Sequence, residues 1–159
     1  MTTTHTVQTP FNRLLLTGAA GGLGKVLRET LKPYARVLRL SDIAAMAPAA
    51  DSREEVLMCD LADKQAVHQL VEGVDAILHF GGVSVERPFE EILGPNISGI
   101  FHIYEAARRH GVKRVIFASS NHVIGFYKQD QTLDAHSPRR PDSYYGLSKC
   151  YGEDVASFY

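Results

Sequence analysis

The sequence predicts an α/β fold, a doubly wound parallel sheet of five strands with order 3-2-1-4-5. Three observations predict it. Short, continuously apolar runs recur along the chain, and strands without polar alternation are buried on both faces, as in parallel sheets covered by helices. Helical periodicity alternates with those runs, which gives right-handed crossovers. A glycine cluster joins the first run to the first helix, at the turn where such folds receive ligands.

The elements follow in order. RLLLT (13–17) reads as a buried strand and the segment 22–31 as a helix. VLRLS (37–41) is the second strand and 55–59 the third. In 64–71, Ala66, Val67, Leu70 and Val71 recur at helical spacing. AILHF (76–80) is the fourth strand. A long helix is expected over 89–110, with Ile97, Ile100, Phe101, Tyr104 and Ala107 on its apolar face. VIFAS (115–119) is the fifth strand, ending at Ser119, and another helix starts at Ser143. The ligand crevice should open where the order reverses, between strands one and four. A full sheet of this type has about six strands, so the last strand and a substrate-capping segment are expected to be lacking. Residues 1–12 are polar and expected to be a flexible tail; 13–159 form the domain.

Composition narrows the class. The chain has 159 residues, a formal net charge of −1, 45% hydrophobic and 22% charged residues. That balance lacks the basic excess a nucleic acid demands. No apolar stretch is long enough for a bilayer, and the N-terminus has no export-signal pattern. Two cysteines, Cys59 and Cys150, are too few for a disulfide framework and read as buried free thiols. A reducing, cytoplasmic compartment follows as the expectation. His79, His102, His110, His122 and His136 are scattered without ligand spacing, so no metal is expected.

Gly18, Gly21 and Gly24 lie in LLLTGAAGGLG, between strand one and the first helix. A glycine pattern alone could be a tight turn. In this position small residues let backbone approach a pyrophosphate, and the helix N-terminus offers it N–H donors. Asp42 follows strand two, 18 positions after Gly24. A carboxylate there accepts from ribose hydroxyls and repels a 2′-phosphate, which favours NAD over NADP. Arg39 argues the other way but should point to the side of its strand; Asp42 could also serve as a turn or helix cap. Asp60 ends strand three, where it could reach an adenine edge, cap the next helix, or do both.

Tyr145 and Lys149 stand at i and i+4 in YGLSK, on one helix face. An ammonium beside a phenol favours the phenolate, the form needed for a general base. Such pairs are common on surfaces. This one gains weight from Ser119 and Ser120 at the carboxyl edge of strand five, where a hydroxyl can hold a substrate oxygen opposite the tyrosine.

TGAAGGLG, CDLAD, HFGG, NISGIFHIYEAA, FASSNHVIG and YYGLSK, in this order, resemble the extended short-chain dehydrogenase/reductase family, with its Rossmann-type fold. GGVSVERPFEEILGPN, ASSNHVIGFY and RRPDSYYGLSKCYGED narrow the resemblance to the uronate dehydrogenases of bacteria. The resemblance implies NAD-dependent oxidation of D-glucuronate or D-galacturonate to an aldaric acid lactone. It implies Tyr145 as general base, Lys149 as its electrostatic partner and ribose anchor, and Ser120, five residues before Gly125, as the catalytic hydroxyl. Ser84, Ser120, Asn121, His122 and Tyr145 would contact the sugar acid, though His122 could instead be a supporting imidazole. Gly18, Gly21, Gly22, Leu23, Gly24, Asp42, Asp60, Leu61, Phe80, Gly81, Gly82 and Lys149 would line the NAD site. Asn96 fits a packing role, a water site for proton relay, or substrate contact. An arginine for the sugar carboxylate is implied in the family's C-terminal part. A homo-oligomer is the expected assembly. A nucleotide-sugar epimerase or dehydratase, and a non-catalytic NAD-binding module, are the competing readings.

Overall fold

The structure, a computed structural model, describes residues 10–159. Five parallel strands form one sheet in the order β3-β2-β1-β4-β5: β1 (Phe11–Thr17), β2 (Ala35–Asp42), β3 (Glu54–Met58), β4 (Ala76–His79) and β5 (Arg114–Phe117). Helices α1 (Gly22–Thr30), α2 (Lys64–Val71), α3 (Phe89–Ile92), α4 (Gly99–His110) and α5 (Tyr144–Phe158) complete the chain. The expected topology is present, with small shifts at the ends.

Strand β1 explains the two-sided burial. Leu15 turns to one face and packs with Val67, Leu70, Val71, Ile77 and Ile103, so α2 and α4 cover that side. Leu14 and Leu16 turn to the other and pack with Leu38, Leu40 and Ala76, against which Leu27 and Leu31 lie. An interior of alternating leucines with helices on both faces is what an unbroken apolar strand implies. β1 starts at Phe11, paired with Ala35, two residues earlier than expected. The tail expected over 1–12 therefore falls, apart from residues 10–12, outside the described residues.

The long helix expected over 89–110 is one helical run in three parts. A π-helical segment, Leu93–Ser98, separates α3 from α4. Pro95 sits in it and has no N–H to donate, which breaks the regular i→i−4 ladder. Ile100, Tyr104 and Ala107 are buried as expected. Phe101, placed on the same face by spacing, is 40% exposed; the helical register within α4 turns it outward. Asp63, not Asp60, caps α2, its carboxylate accepting from the Gln65 and Ala66 N–H groups. Asp60 instead accepts from the Ala62 N–H at 2.8 Å in a turn of its own. β5 ends at Phe117, so Ser119 and Ser120 stand beyond the strand, in the loop that follows it. Cys59 and Cys150 are both buried and free. No helix among the described residues is long and apolar enough to cross a membrane.

Candidate active site

At the carboxyl edge of β1 and β4 lies a cavity of about 690 Å³, a volume suited to a cofactor-sized ligand. Gly18, Gly21, Gly22, Leu23, Gly24, Asp42, Asp60, Leu61, Phe80, Gly81, Gly82 and Ser84 all line it. Every residue the sequence assigns to the cofactor is thus gathered there except Lys149. Ser84, assigned to the sugar, stands on the same wall. Ile43, Ala44, Ala62 and Pro95 also line it and were not anticipated.

The glycines are there for closeness. Gly18 holds φ +74°, and a Cβ on it would sit 2.7 Å from the Phe80 carbonyl carbon. A Cβ on Gly24 would overlap the backbone of Gly18 and Ala19, so the strand and α1 touch only because both positions are bare. Gly21 is the N-cap of α1, and no side chain caps this end. Its N–H groups face the cavity's edge with the positive end of the helix behind them. Asp42 accepts from the Ala20 N–H and the Ala44 N–H, each at 3.0 Å. A carboxylate has about four acceptor sites, so the turn-capping role and a ribose contact are compatible. Arg39 is drawn away: its Nε donates to Glu55 at 2.6 Å and its Nη1 to the carbonyls of Leu70 and Glu72. The cation that would have favoured a 2′-phosphate is occupied elsewhere. Leu23 and Ile43, 67% and 65% exposed, give the cavity apolar walls.

The second group of residues collects around α5. Ser143 caps the helix by accepting from the Gly146 N–H. Tyr145 and Lys149 are both buried. Lys149 Nζ donates to the Ala118 carbonyl at 2.8 Å and lies 5.5 Å from the Tyr145 ring centre and 4.8 Å from that of Phe117. Burial pushes the Lys149 ammonium down to about 8. Ser120 begins the 3-10 turn Asn121–Ile124, accepting from the His122 N–H at 3.2 Å and donating to Asn121 Oδ1 at 3.4 Å. Ser119 donates to Glu153 at 2.5 Å. Of the two serines, Ser119 is committed to α5 and Ser120 stays with the turn that carries Asn121 and His122. The His122 ring meets the Tyr145 ring edge-on, 5.5 Å between centres.

Two links join the groups, and neither is legible in the sequence. Asn96, in the π-helical segment, accepts from the Val83 N–H at 2.7 Å and donates to the Val83 carbonyl and to Ser148 Oγ, at 3.0 and 2.9 Å. Three of the four hydrogen-bonding positions of its amide are used within the protein, which fits a packing role. It ties the cavity wall to the residue preceding Lys149. Glu86 accepts from the Tyr144 and Tyr145 N–H groups at 3.2 and 2.9 Å, bringing a negative charge to the start of α5. Below the cavity, Thr17 Oγ1 pairs with His79 Nδ1 at 2.7 Å and accepts from the Gly81 N–H. Burial, with the charge of Lys149, pushes the His79 imidazole down to about 3, so it is a neutral part of the core. No group of metal-ligating side chains occurs among the described residues.

The family model described as NAD dependent epimerase/dehydratase matches residues 14–159. The chain belongs to that family. Within the epimerase/dehydratase family it is 84% identical over 159 residues to the uronate dehydrogenase of Pseudomonas syringae pv. tomato, covering all of this chain and 58% of that protein. The crystal structure of uronate dehydrogenase from Agrobacterium tumefaciens superposes with a TM-score of 0.91 at 55% identity, over 93% of this chain and 55% of the other. A mutant of that enzyme complexed with NAD superposes with a TM-score of 0.90 at 54% identity, covering 93% of this chain and 56% of that one. The chain spans a little over half the length of these epimerase/dehydratase relatives.

Proposed function

We propose that this protein oxidises a free uronic acid, D-glucuronate or D-galacturonate, at its anomeric carbon with NAD, giving the aldaric acid lactone. The observation that carries the reading is the 84% identity to a uronate dehydrogenase along the whole chain. The cavity supports it. Its residues fit NAD: the uncapped N-terminus of α1 and the bare Gly18 suit a pyrophosphate, and Asp42 suits the adenosine ribose. Leu23 and Ile43 offer apolar surface, Asp60 and Leu61 line the wall, and Phe80, Gly81 and Gly82 form the floor.

NAD, when bound, supplies the acceptor for the hydride that leaves carbon one. The chain's own residues do the rest. Tyr145, as phenolate, takes the proton of the anomeric hydroxyl. The Lys149 ammonium favours that phenolate and is the ribose anchor. Ser120 holds the same oxygen from the other side. Ser84, Asn121 and His122 hold the sugar acid. The ring oxygen stays bonded to carbon one throughout, so the carbonyl that forms is a lactone. Tyr145→Phe keeps the ring but removes the base. It is expected to lower NADH formation with D-glucuronate by about 10³-fold, within the range for a lost acid–base group, while NAD binding in calorimetry stays unchanged. Undiminished turnover would mean that Tyr145 is not the base.

A further inference from the structure

We propose that Asp142 is a positioning residue: it holds His122 in its Nδ1–H tautomer, so that the bare Nε2 accepts a hydrogen bond from a substrate hydroxyl beside Tyr145. The inference deepens the uronate-oxidation reading and rests on it for the identity of the hydroxyl's owner. It does not rest on it for the tautomer.

His122 Nδ1 stands 2.8 Å from Asp142 Oδ1 and 3.1 Å from Oδ2. A carboxylate only accepts, so the nitrogen between its oxygens must carry the proton. The hydrogen bonds from His122 and from Ser143 Oγ, the latter at 2.9 Å, hold the Asp142 carboxyl below its ordinary range, which keeps it an acceptor. In a neutral imidazole the other nitrogen is then an acceptor. Nε2 has no hydrogen-bond partner among the described residues, and the His122 side chain is 45% exposed. The ring is not free to turn. One edge is held by Asp142, and its plane lies at 72° to the Tyr145 ring.

The backbone is shaped around this pair. A Cβ on Gly125 would overlap the Asp142 carboxyl group, and one on Gly146 would sit 2.5 Å from the His122 carbonyl oxygen. Two bare positions on two different elements make room for the carboxylate and its imidazole. Asp142 also adjoins Ser143, the cap of α5, so one short segment sets both the Tyr145 helix and the His122 ring. An acceptor at Nε2 binds a hydroxyl and disfavours an anion. That suits the hydroxyl-bearing face of a sugar acid rather than its carboxylate.

The test separates the tautomer from the turnover. Long-range proton–nitrogen spectra of the ¹⁵N-histidine-labelled protein at pH 8, without sugar, report which nitrogen of His122 is protonated. The protonated nitrogen is expected to be Nδ1 in the wild type and in Asp142→Asn, which keeps an acceptor oxygen. It is expected to become Nε2 in Asp142→Ala, the tautomer a free ring prefers. With D-glucuronate, Asp142→Ala should raise KM about tenfold, the worth of one hydrogen bond, with kcat within about twofold; Asp142→Asn should restore KM. An Nε2–H ring in the wild type overturns the proposal even if the alanine variant does not fold. So does an unchanged KM in Asp142→Ala. A wild type with the Nδ1–H ring but no turnover of uronates would instead refute the substrate reading and leave the tautomer assignment standing.

Discussion

Lys149→Met is expected to make the protein more stable and nearly inactive. Lys149 is 7% exposed and donates one hydrogen bond, to the Ala118 carbonyl. Its ordinary value of 10.5 falls to about 8 through burial alone. The unfolded chain therefore binds more protons than the folded one between about pH 8 and 10.5. Stability rises with pH across that window, by up to about 1.4 kcal/mol per pH unit. Below pH 8 the full cost of a buried ammonium persists. Methionine fills similar space without charge, against a loss of about 1 kcal/mol for the unpaired carbonyl. A net gain of about 2 kcal/mol at pH 7, and loss of the rise above pH 8, should appear in denaturant unfolding without nucleotide. NADH formation should fall about 10³-fold, because the phenolate loses its cation. A less stable methionine variant would contradict the burial argument. Stability lost here for function is the kind of trade an active site makes.

Gly18→Ala is expected to abolish NAD binding. The residue holds a left-handed φ of +74°, which costs an alanine about 1 kcal/mol. Its methyl group would also press on the Phe80 and Gly81 backbone at 2.7–2.8 Å. Those two residues line the cavity, so relief of the collision must move the cavity floor. Calorimetry with NAD should show affinity reduced by at least about 100-fold, together with a lower Tm. Equal NAD affinity in Gly18→Ala and the wild type would show that the turn does not define the site.

Local chemistry was legible in the sequence and long-range chemistry was not. Leu14, Leu15 and Leu16 announce a strand buried on both faces because burial acts residue by residue. Gly18 and Asp42 announce a nucleotide turn because both stand at strand ends whose spacing the fold dictates. Two acidic residues, Asp60 and Asp63, precede α2, and only the register decides which reaches its N–H groups. Glu86 looks like a solvent-facing acid; it caps α5 from 58 positions away. Asp142 sits 20 positions from His122, beyond a polar, proline-containing loop that has no periodicity to read. Asn96 shows no sign in the sequence that its amide spans the cavity wall and Ser148, because that clasp depends on the π-helical segment around Pro95.

A nicotinamide cofactor beside the Tyr145–Lys149 pair is expected to oxidise a free sugar acid in net turnover. NADH absorbance followed with the protein, NAD and either D-glucuronate or UDP-glucuronate tests this. Steady NADH release is expected with the free uronate and none with the nucleotide sugar. Conversion of the nucleotide sugar without net NADH, and no response to the free acid, would contradict it and point to an epimerase or dehydratase.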